Sequence, residues 1–413
     1  MEGNERSLYY GWVVVAACFV VSALISPLIS QFSVFQVAMR REFDWSRGSI
    51  ALALFIHLLL NGIASLFAAK LIHRFGARRM MPLGAVLTGL ALIGLSRATA
   101  LWHLYLAYGV IAAVGSSLLH VVPLTTIVSN WFSRRRGTAI GLVSAGSGVG
   151  QLLLPVMQYL INHLGWRQTY LTFGAAVMII PSAVAWMFLD VQPESRRESS
   201  SEAPEVEWTV RLAVRSFRFW ALTLVMALFA GGFFLISVQL VAYLEDQGYG
   251  SLTAATIVGL QGGLNMIGKF IGGLLCDRFS REKTLTLSIA IFVVGIALLN
   301  LAGSVVSQPL IYAFVVCYGI GFGMAIPSLM TSAADLFQGR NFGSILGIIV
   351  LGGLVGGALG AWLSGHFFDL TRSYQVNFLV SSLAMLLAGA LIWKAQPGRP
   401  HRAIPRAPSR ARD

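Results

Sequence analysis

A single lysine lies inside a long apolar stretch in the second half of the chain. Lys269 occurs in QGGLNMIGKFIGGLLC, and the run from Leu252 to Cys276 contains no other charged residue. If this run crosses a membrane, burying the charge costs at least about 2.5–3.5 kcal/mol, so we expect a lysine in that position to have a function. A fixed ammonium group in an apolar span is suited to binding an anion.

Other polar side chains in neighbouring apolar runs are candidates to bind the same anion. Asn265 lies one helical turn before Lys269. His120 can bind and release a proton near neutral pH, and the alternative is a role in packing or hydrogen bonding. His57 and Asn61 are expected to bond between helices. Further candidates that can donate a hydrogen bond to a carboxylate are Gln31, Gln151, Gln239 and Tyr318.

The composition indicates that these runs belong to a membrane protein. Of the 413 residues, 56% are hydrophobic and 11% are charged, whereas soluble domains carry about 25% charged residues. Apolar stretches of about 20 residues, enough to cross the ~30 Å hydrocarbon core, recur along the chain. The sequence therefore predicts an all-α membrane protein with twelve transmembrane helices. Their expected positions are 11–36, 49–69, 80–98, 101–128, 137–161, 168–189, 217–244, 252–275, 284–303, 308–334, 342–367 and 374–393.

The chain divides into two similar halves. AAKLIHRFGARRM at 68–80 matches GGLLCDRFSREKT at 272–284 with an offset of 204 residues, and Asn61 corresponds to Asn265 at the same offset. A repeat of this size predicts two pseudo-symmetric six-helix bundles, with a substrate site near the membrane midplane where they meet. The expected divisions are an N-terminal bundle at 1–190, a cytoplasmic linker at 191–216, a C-terminal bundle at 217–396 and a basic disordered tail at 397–413.

The net charge of +13 follows a membrane topology and not the pattern of a nucleic-acid-binding protein. If the N-terminus is cytoplasmic, most of the 30 Lys and Arg residues fall in cytoplasmic segments. This positive-inside bias predicts a multi-pass protein of the cell membrane with both termini in the cytoplasm. The basic tail is expected to lie near anionic lipid. The external segments hold only Arg40, Arg41, Arg47, Arg97, Arg167 and Arg372.

The two matching loops resemble the cytoplasmic loop signature of the major facilitator superfamily, G-x-x-x-D-R-x-G-R-R. KLIHRFGARR and LLCDRFSREK each lie between the second and third spans of a half. The resemblance implies charge contacts that close the cytoplasmic side. His73 replaces the aspartate of the first copy, so Asp277 of the second copy is the preferred latch residue. The candidate gating residues are Arg74, Gly76, Arg78, Asp277, Arg278 and Arg281.

Longer stretches resemble the monocarboxylate transporter family, and more closely its microbial oxalate/formate-antiporter-like branch. Examples are YYGWVVVAACF, SVFQVAMRREFDWSRGSIALA and QLVAYLEDQGYG, and the resemblance covers nearly the whole chain outside the linker and tail. It implies the major facilitator fold and transport of small organic anions. It also implies that Lys269 holds the position of the eighth-span cation that pairs with the substrate carboxylate. Asn265 stands where animal members have an aspartate.

Two departures from the family pattern narrow the substrate class. Oxalate carriers of this family have a second lysine in the eleventh span, but 342–365 contains no charge. The first-span lysine of animal members is also absent. One fixed positive charge suits a monovalent anion, so we predict a secondary transporter of monocarboxylates that works by alternating access. The alternatives are a major facilitator exporter of a larger amphipathic compound and a non-transporting membrane receptor on the same fold.

Other functional classes have no support in the sequence. No stretch resembles a nucleotide-binding loop, a metal cluster or a nucleophile triad, so we expect no enzyme activity, no cofactor, no metal and no nucleic-acid partner. No Asp or Glu lies well inside a predicted span. A coupled proton must therefore be carried by a basic group or by the substrate, and both proton symport and anion exchange stay open. We expect the protein to function as a monomer.

Overall fold

Helices make up nearly all of the described chain. The structure is a computed structural model, and it describes residues 2–129, 131–132, 136–188, 208–305, 307–337 and 341–395. Helices suit a chain that crosses a bilayer, because they satisfy their backbone polar groups within one segment. In chain order they are α1 Glu2–Ile25, α2 Pro27–Ser30, α3 Phe32–Phe43, α4 Arg47–Phe75, α5 Ala77–Leu95, α6 Leu101–Leu104, the π-helix Tyr105–Ala112, α7 Ala113–Ser117, α8 Val121–Ser129, α9 Arg136–Gln151, α10 Leu154–Phe188, α11 Val210–Val214, α12 Phe217–Ser237, α13 Leu240–Asp246, α14 Ser251–Arg278, α15 Arg281–Val305, α16 Gln308–Leu336, α17 Phe342–Thr371 and α18 Gln375–Ala395.

The described residues contain nine stretches that are long and apolar enough to cross a membrane. One of them, Gly141–Phe188, contains two predicted spans. The chain turns between these two spans at Gly165, where φ is +82°. Two other predicted spans are not among the nine. The fourth span is divided into short helices, and the eighth span, α14, carries polar side chains in its middle. The prediction of an all-α membrane protein is confirmed.

Buried apolar side chains form two main clusters, one mainly in each half of the chain. Leu54, Leu92 and Tyr170 belong to the first cluster, whereas Phe292 and Phe314 belong to the second. Many large apolar side chains remain exposed on the outer surface of the helices. In a bilayer this surface faces lipid, so its exposure is consistent with a protein that spans the membrane.

Matching glycine contacts hold the helices of each half together. Gly150 of α9 faces the carbonyl oxygen of Ala23 in α1, and Gly360 of α17 faces that of Gly231 in α12. A Cβ on either glycine would lie 2.3 or 2.2 Å from the oxygen, so a side chain cannot fit. Small residues allow this close approach of backbones in membrane helices. The first and fifth spans therefore pack in the same way as the seventh and eleventh.

Four of the spans are interrupted within the described part of the chain. The breaks lie at Ser26 and Gln31 in the first span, at 118–120 in the fourth, at 152–153 in the fifth and at 238–239 in the seventh. Non-helical backbone at membrane depth is tolerated where it is buried in protein or lines a cavity. Residues at or next to each break line the cavity described below.

The predicted linker and tail lie largely outside the described residues. At the end of the linker, Thr209 accepts a hydrogen bond from the backbone amide of Leu212 and begins α11. Asn341 donates from its side chain to the carbonyl oxygen of Trp208 at 3.0 Å. This contact connects the end of the linker to the start of α17. The proposed division of the chain into two bundles, linker and tail stays a prediction.

Candidate functional site

A cavity of about 280 Å³ lies between the two halves of the chain. The interrupted spans and helices α4, α14 and α16 form its wall. Lys269 is the one residue with a fixed charge among the described lining residues, and no Asp or Glu is found with it. The described residues also provide Lys269 with no hydrogen-bond or ion-pair partner. The wall therefore presents an uncompensated ammonium group.

Backbone contacts between α14 and α16 position this lysine. A Cβ on Gly268 would lie 2.4 Å from the carbonyl oxygen of Ile320, and one on Gly272 would lie 2.5 Å from that of Met324. The two helices are thus in direct contact on either side of Lys269. Because Lys269 directly follows Gly268 on α14, its position depends on this contact. The glycines next to Lys269 thus allow α14 and α16 to pack closely at the level of the lysine.

Three polar residues of α14 follow one another at a spacing of four. Gln261, Asn265 and Lys269 share one face of the helix and all line the cavity. The Nε2 atom of Gln261 and the Oδ1 atom of Asn265 are buried and have no hydrogen-bond partner. A ligand that enters the cavity therefore meets two unpaired polar groups, one and two helical turns before the positive charge of Lys269 on α14.

The first half contributes a matching pair from α4. His57 and Asn61 correspond to Gln261 and Asn265 at the offset of 204 residues, and all four line the cavity. Asn61 donates to the carbonyl oxygen of Ala113 at 3.1 Å, as expected for a residue that bonds between helices. The Nδ1 atom of His57 lies 2.8 Å from the carbonyl oxygen of Tyr108, but its Nε2 atom has no partner.

The structure brings four of the seven candidate substrate-binding residues to this cavity, and one of them is Gln151 at the end of α9. Lys269 and Asn265 come from α14, and His120 comes from the break between α7 and α8. His57 and Gln261 also line the cavity, although their types and positions in the sequence did not indicate substrate binding. Extending the internal repeat from Asn61 and Asn265 by one helical turn would have found both.

The other three predicted residues lie away from the cavity wall. Gln31 is fully buried at the break after α2 and has no partner for its side-chain amide. Tyr318 is fully buried and donates to the carbonyl oxygen of Phe233 at 2.7 Å. Gln239 borders a separate cavity of about 10 Å³ together with Asn377, which is about the space of one water molecule. The sequence shows that these residues lie in spans but not which way they face.

Arg47 joins the two halves at the predicted external end. Its side chain is only 4% exposed, and its Nη2 atom lies 2.7 Å from the Oδ2 atom of Asp246. The guanidinium group also donates to the hydroxyl of Tyr374 and lies 3.6 Å from the centre of the Phe368 ring. Burial raises the pKa of Tyr374, so this hydroxyl stays protonated and donates to Asp246 at 2.5 Å. Arg47 of the first half thus contacts the second half at three places, namely the end of α13, the last turns of α17 and the residue just before α18.

Further contacts close the same end. Asp369 accepts hydrogen bonds from the backbone amides of Arg47 and Gly48 at 3.1 and 2.7 Å. A carboxylate in that position also stabilises the N-terminus of α4 electrostatically. The exposed Arg41 pairs with the largely buried Glu245 at 2.9 Å. These contacts cross from one half to the other, so the cavity is closed at the predicted external end.

The first predicted gating loop connects α4 to α5 by a single glycine. Gly76 has a φ of +84°, a conformation that favours glycine over residues with a Cβ. Arg74 is exposed, with its guanidinium carbon 5.3 Å from the centre of the Phe75 ring. The guanidinium carbon of Arg78 lies 5.0 Å from the centre of the Trp186 ring in α10. These ring contacts lie within the first half of the chain.

The second predicted gating loop is anchored by Arg281. Its Nε atom lies 3.0 Å from the Oδ2 atom of Asp335 in α16, and its guanidinium group also donates to the carbonyl oxygen of Cys276. Asp277 and Arg278 are exposed at the end of α14. Arg281 therefore fixes the α14–α15 turn to α16 within the second half. The latch role of Asp277 stays a prediction.

Comparisons with known proteins decide the family. The sequence profile of the Major Facilitator Superfamily matches residues 11–357. Monocarboxylate transporter 11 of Mus musculus is 30% identical over 407 residues, which cover 96% of this chain and 88% of the relative. The chain belongs to the monocarboxylate transporter family of the Major Facilitator Superfamily.

Other relatives of the transporter are animal and bacterial. Monocarboxylate transporter 13 of Bos taurus is 29% identical over 385 residues, which cover 92% of this chain and 88% of the relative. The uncharacterized MFS-type transporter YcxA of Bacillus subtilis (strain 168) is 26% identical over 387 residues, which cover 92% of each chain. Proteins of this superfamily are multi-pass membrane transporters and not enzymes, so these predictions are confirmed.

Solved structures with the same fold extend over nearly the whole transporter. The D-xylose–proton symporter has a TM-score of 0.74 at 16% identity, covering 95% of this chain and 100% of its own. A bacterial homologue of the human lysosomal transporter Spinster has a TM-score of 0.73 at 15% identity, covering 94% and 97%. The predicted major facilitator fold is therefore confirmed. The location in the cell membrane and the orientation of the termini stay predictions.

Proposed function

We propose that the transporter carries small monocarboxylates through the cavity between its halves, with Lys269 as the residue that binds the carboxylate. The main support is the position of Lys269 on the cavity wall, where the described lining residues include no acidic partner. In surroundings of low dielectric constant, such a charge attracts an anion far more strongly than it does in water. The names of the relatives Monocarboxylate transporter 11 and 13 support the same substrate class.

The size and charge of the cavity favour a small substrate over a larger amphipathic one. Pockets for drug-sized ligands measure about 300–1,000 Å³, and this cavity, at about 280 Å³, lies at the lower end of that range. One ammonium group balances one carboxylate. A dicarboxylate would leave a second negative charge without a cation on the described part of the wall.

The closed external end supports transport by alternating access in the predicted orientation. With Arg47 and Asp369 joining the halves at that end, substrate reaches the cavity from the cytoplasmic side in this conformation. Rocking of one half against the other then opens the external side around a fixed binding site, as in other transporters built from repeats. Both termini are cytoplasmic in this proposal, and the protein resides in the cell membrane.

Uptake into proteoliposomes tests the role of the lysine. A Lys269→Gln variant removes the charge at nearly constant length, and loss of a charge-assisted hydrogen bond of about 1.5–3 kcal/mol lowers affinity about 10- to 100-fold. Lys269→Arg keeps the charge and should retain part of the uptake. Lys394→Gln serves as a control, because this lysine is exposed in the last turn of α18.

The measurement is the initial rate of radiolabelled propionate uptake at equal amounts of folded transporter. Uptake by Lys269→Gln at the wild-type rate would contradict the proposed site. Absence of flux in the wild-type protein, with every small carboxylate tried, would instead favour the non-transporting receptor.

A further inference from the structure

The tautomer of His57 follows from its contact with Tyr108. The Nδ1 atom lies 2.8 Å from the carbonyl oxygen of Tyr108. A carbonyl oxygen can only accept a hydrogen bond, so Nδ1 carries the proton and donates it. In the neutral ring, Nε2 then bears a lone pair and acts as a hydrogen-bond acceptor.

Packing holds the ring of His57 in this orientation. The ring stacks on that of Tyr108 with centroids 4.6 Å apart and an interplanar angle of 25°. Tyr108 is itself fixed, because its hydroxyl donates to the carbonyl oxygen of Leu28 at 2.8 Å. It also lies in the π-helix Tyr105–Ala112, a rare backbone form that occurs often at functional sites. The position of the Nε2 acceptor is thus set before a ligand arrives.

The Nε2 atom of His57 is left without a hydrogen-bond partner in the described structure. It is buried, and His57 lines the same cavity as Lys269. A buried acceptor without a donor is unfavourable, so a ligand that supplies a donor gains from binding there. A carboxylate cannot fill this role, because it has only acceptor oxygens when ionised. The donor must come from another group on the substrate.

The charge of Lys269 restricts what that other group can be. The ammonium group of an amino acid is a donor, but the positive lysine in the same cavity repels it. A hydroxyl group donates one hydrogen bond and carries no charge. A monocarboxylate with a hydroxyl group therefore offers a negative charge to Lys269 of the second half and a donor to the Nε2 atom of His57 in the first half.

We infer that His57 is a specificity-determining residue whose Nε2 atom accepts a hydrogen bond from a substrate hydroxyl, so that the transporter prefers hydroxymonocarboxylates to the same acids without the hydroxyl. This inference rests on the proposed function, since Lys269 must bind the carboxylate. The substrate then contacts His57 of α4 in addition to Lys269 of α14.

Two substitutions at His57 separate its two nitrogen atoms. His57→Asn places an amide near the position of Nδ1, which keeps a donor for Tyr108 and removes the Nε2 acceptor. His57→Gln reaches the position of Nε2 and keeps an acceptor there. His120→Asn tests the other histidine of the cavity, and His163→Asn is a control at an exposed position.

The measured quantity is the ratio of uptake efficiencies, kcat/KM, for 2-hydroxypropionate over propionate, repeated with glycolate over acetate. Because both acids are tested on the same variant, any general loss of folded transporter cancels from the ratio. We expect a wild-type ratio of about ten, which corresponds to about 1.4 kcal/mol and is typical of one hydrogen bond. His57→Asn should bring the ratio close to one, whereas His57→Gln, His120→Asn and His163→Asn should keep most of it.

The outcomes distinguish this inference from the proposed function. A wild-type ratio near one, with uptake that still depends on Lys269, overturns the role of His57 alone. The same holds if His120→Asn abolishes the preference and His57→Asn does not. If neither acid shows uptake that depends on Lys269, the proposed function fails and the inference fails with it.

Discussion

Neutralising Asp246 should open the external side of the transporter. In the closed conformation, this carboxylate accepts hydrogen bonds from the guanidinium group of Arg47 at 2.7 Å and from the hydroxyl of Tyr374 at 2.5 Å. Asp246→Asn keeps the shape of the side chain but removes the charge. Arg47 then keeps its contact with Phe368 but loses Asp246 as the ionic partner of its nearly buried guanidinium group.

The size of the effect follows from the bonds that are weakened. A hydrogen bond to a charged group contributes about 1.5–3 kcal/mol, and about 1.4 kcal/mol changes an equilibrium tenfold. Asp246 is 46% exposed, which places the effect towards the lower end of that range. We expect the equilibrium between the open and closed external ends to shift about tenfold towards the open form.

Labelling of an introduced cysteine from outside measures this shift. Ser33 is 5% exposed and lines the cavity, so Ser33→Cys reports on access to it. The three native cysteines are replaced first, and a membrane-impermeant maleimide is added to the external side. The labelling rate should rise about tenfold in the Asp246→Asn variant, in proportion to the open form.

A neighbouring ion pair provides the control. Arg41 pairs with Glu245 at the same end, where the side chain of Arg41 is 67% exposed and that of Glu245 is 11% exposed. Water reaches the guanidinium group and weakens the pair to about 0–1 kcal/mol, so Glu245→Gln should change the labelling rate by no more than about fivefold. Equal labelling of the wild-type and Asp246→Asn proteins would refute the role of the Arg47–Asp246 pair in closing the external end. If Glu245→Gln has the larger effect, the Arg41–Glu245 pair and not the Arg47–Asp246 pair closes the external end.

Two further predictions concern helix packing and the coupled ion. Gly323→Ala should lower the free energy of unfolding by about 1–3 kcal/mol, because its Cβ would lie 2.2 Å from the carbonyl oxygen of Asn265. Thermal unfolding of the detergent-solubilised protein measures this loss. Gly273→Ala is the control, because nothing lies within 4 Å of its Cβ. If the transporter is a proton symporter, an acid exterior should drive propionate accumulation into vesicles with an empty lumen, also in a His120→Gln variant, because the cavity lysine is then the group that carries the proton. No accumulation would rule out symport, and a requirement for an anion inside would indicate exchange.

The hydropathy of the sequence is sufficient to predict the helices but not their interruptions. Apolar runs average over many residues, so they predict the twelve spans and the major facilitator fold. The breaks at 118–120 and 238–239 depend on contacts with other spans, such as the hydrogen bond from Gln36 to the freed carbonyl oxygen of Val238. Contacts between residues about 200 positions apart leave no local pattern.

The candidate site was predictable where charge or repetition marked a residue. Lys269 has no charged neighbour in its span, and Asn265 repeats Asn61 in the other half, so both could be selected from the sequence. Gln239 and Tyr318 are equally polar but face the interior of their own half, where packing alone decides their direction. The sequence marks Arg47 only as an external charge, because nothing in it places Asp246 next to this arginine.

The fixed positive charge of Lys269 makes the transport cycle sensitive to the membrane voltage when the empty site stays protonated. Without substrate the site carries one positive charge, and with a bound monocarboxylate its net charge is zero. Moving one elementary charge across 100 mV changes the energy by about 2.3 kcal/mol, and the lysine moves through a fraction of that field. Voltage therefore acts on the return of the empty carrier and not on the loaded step. An exchanger never returns empty, and a symporter whose lysine releases its proton returns uncharged. The voltage dependence of net uptake thus reports whether the empty site is protonated.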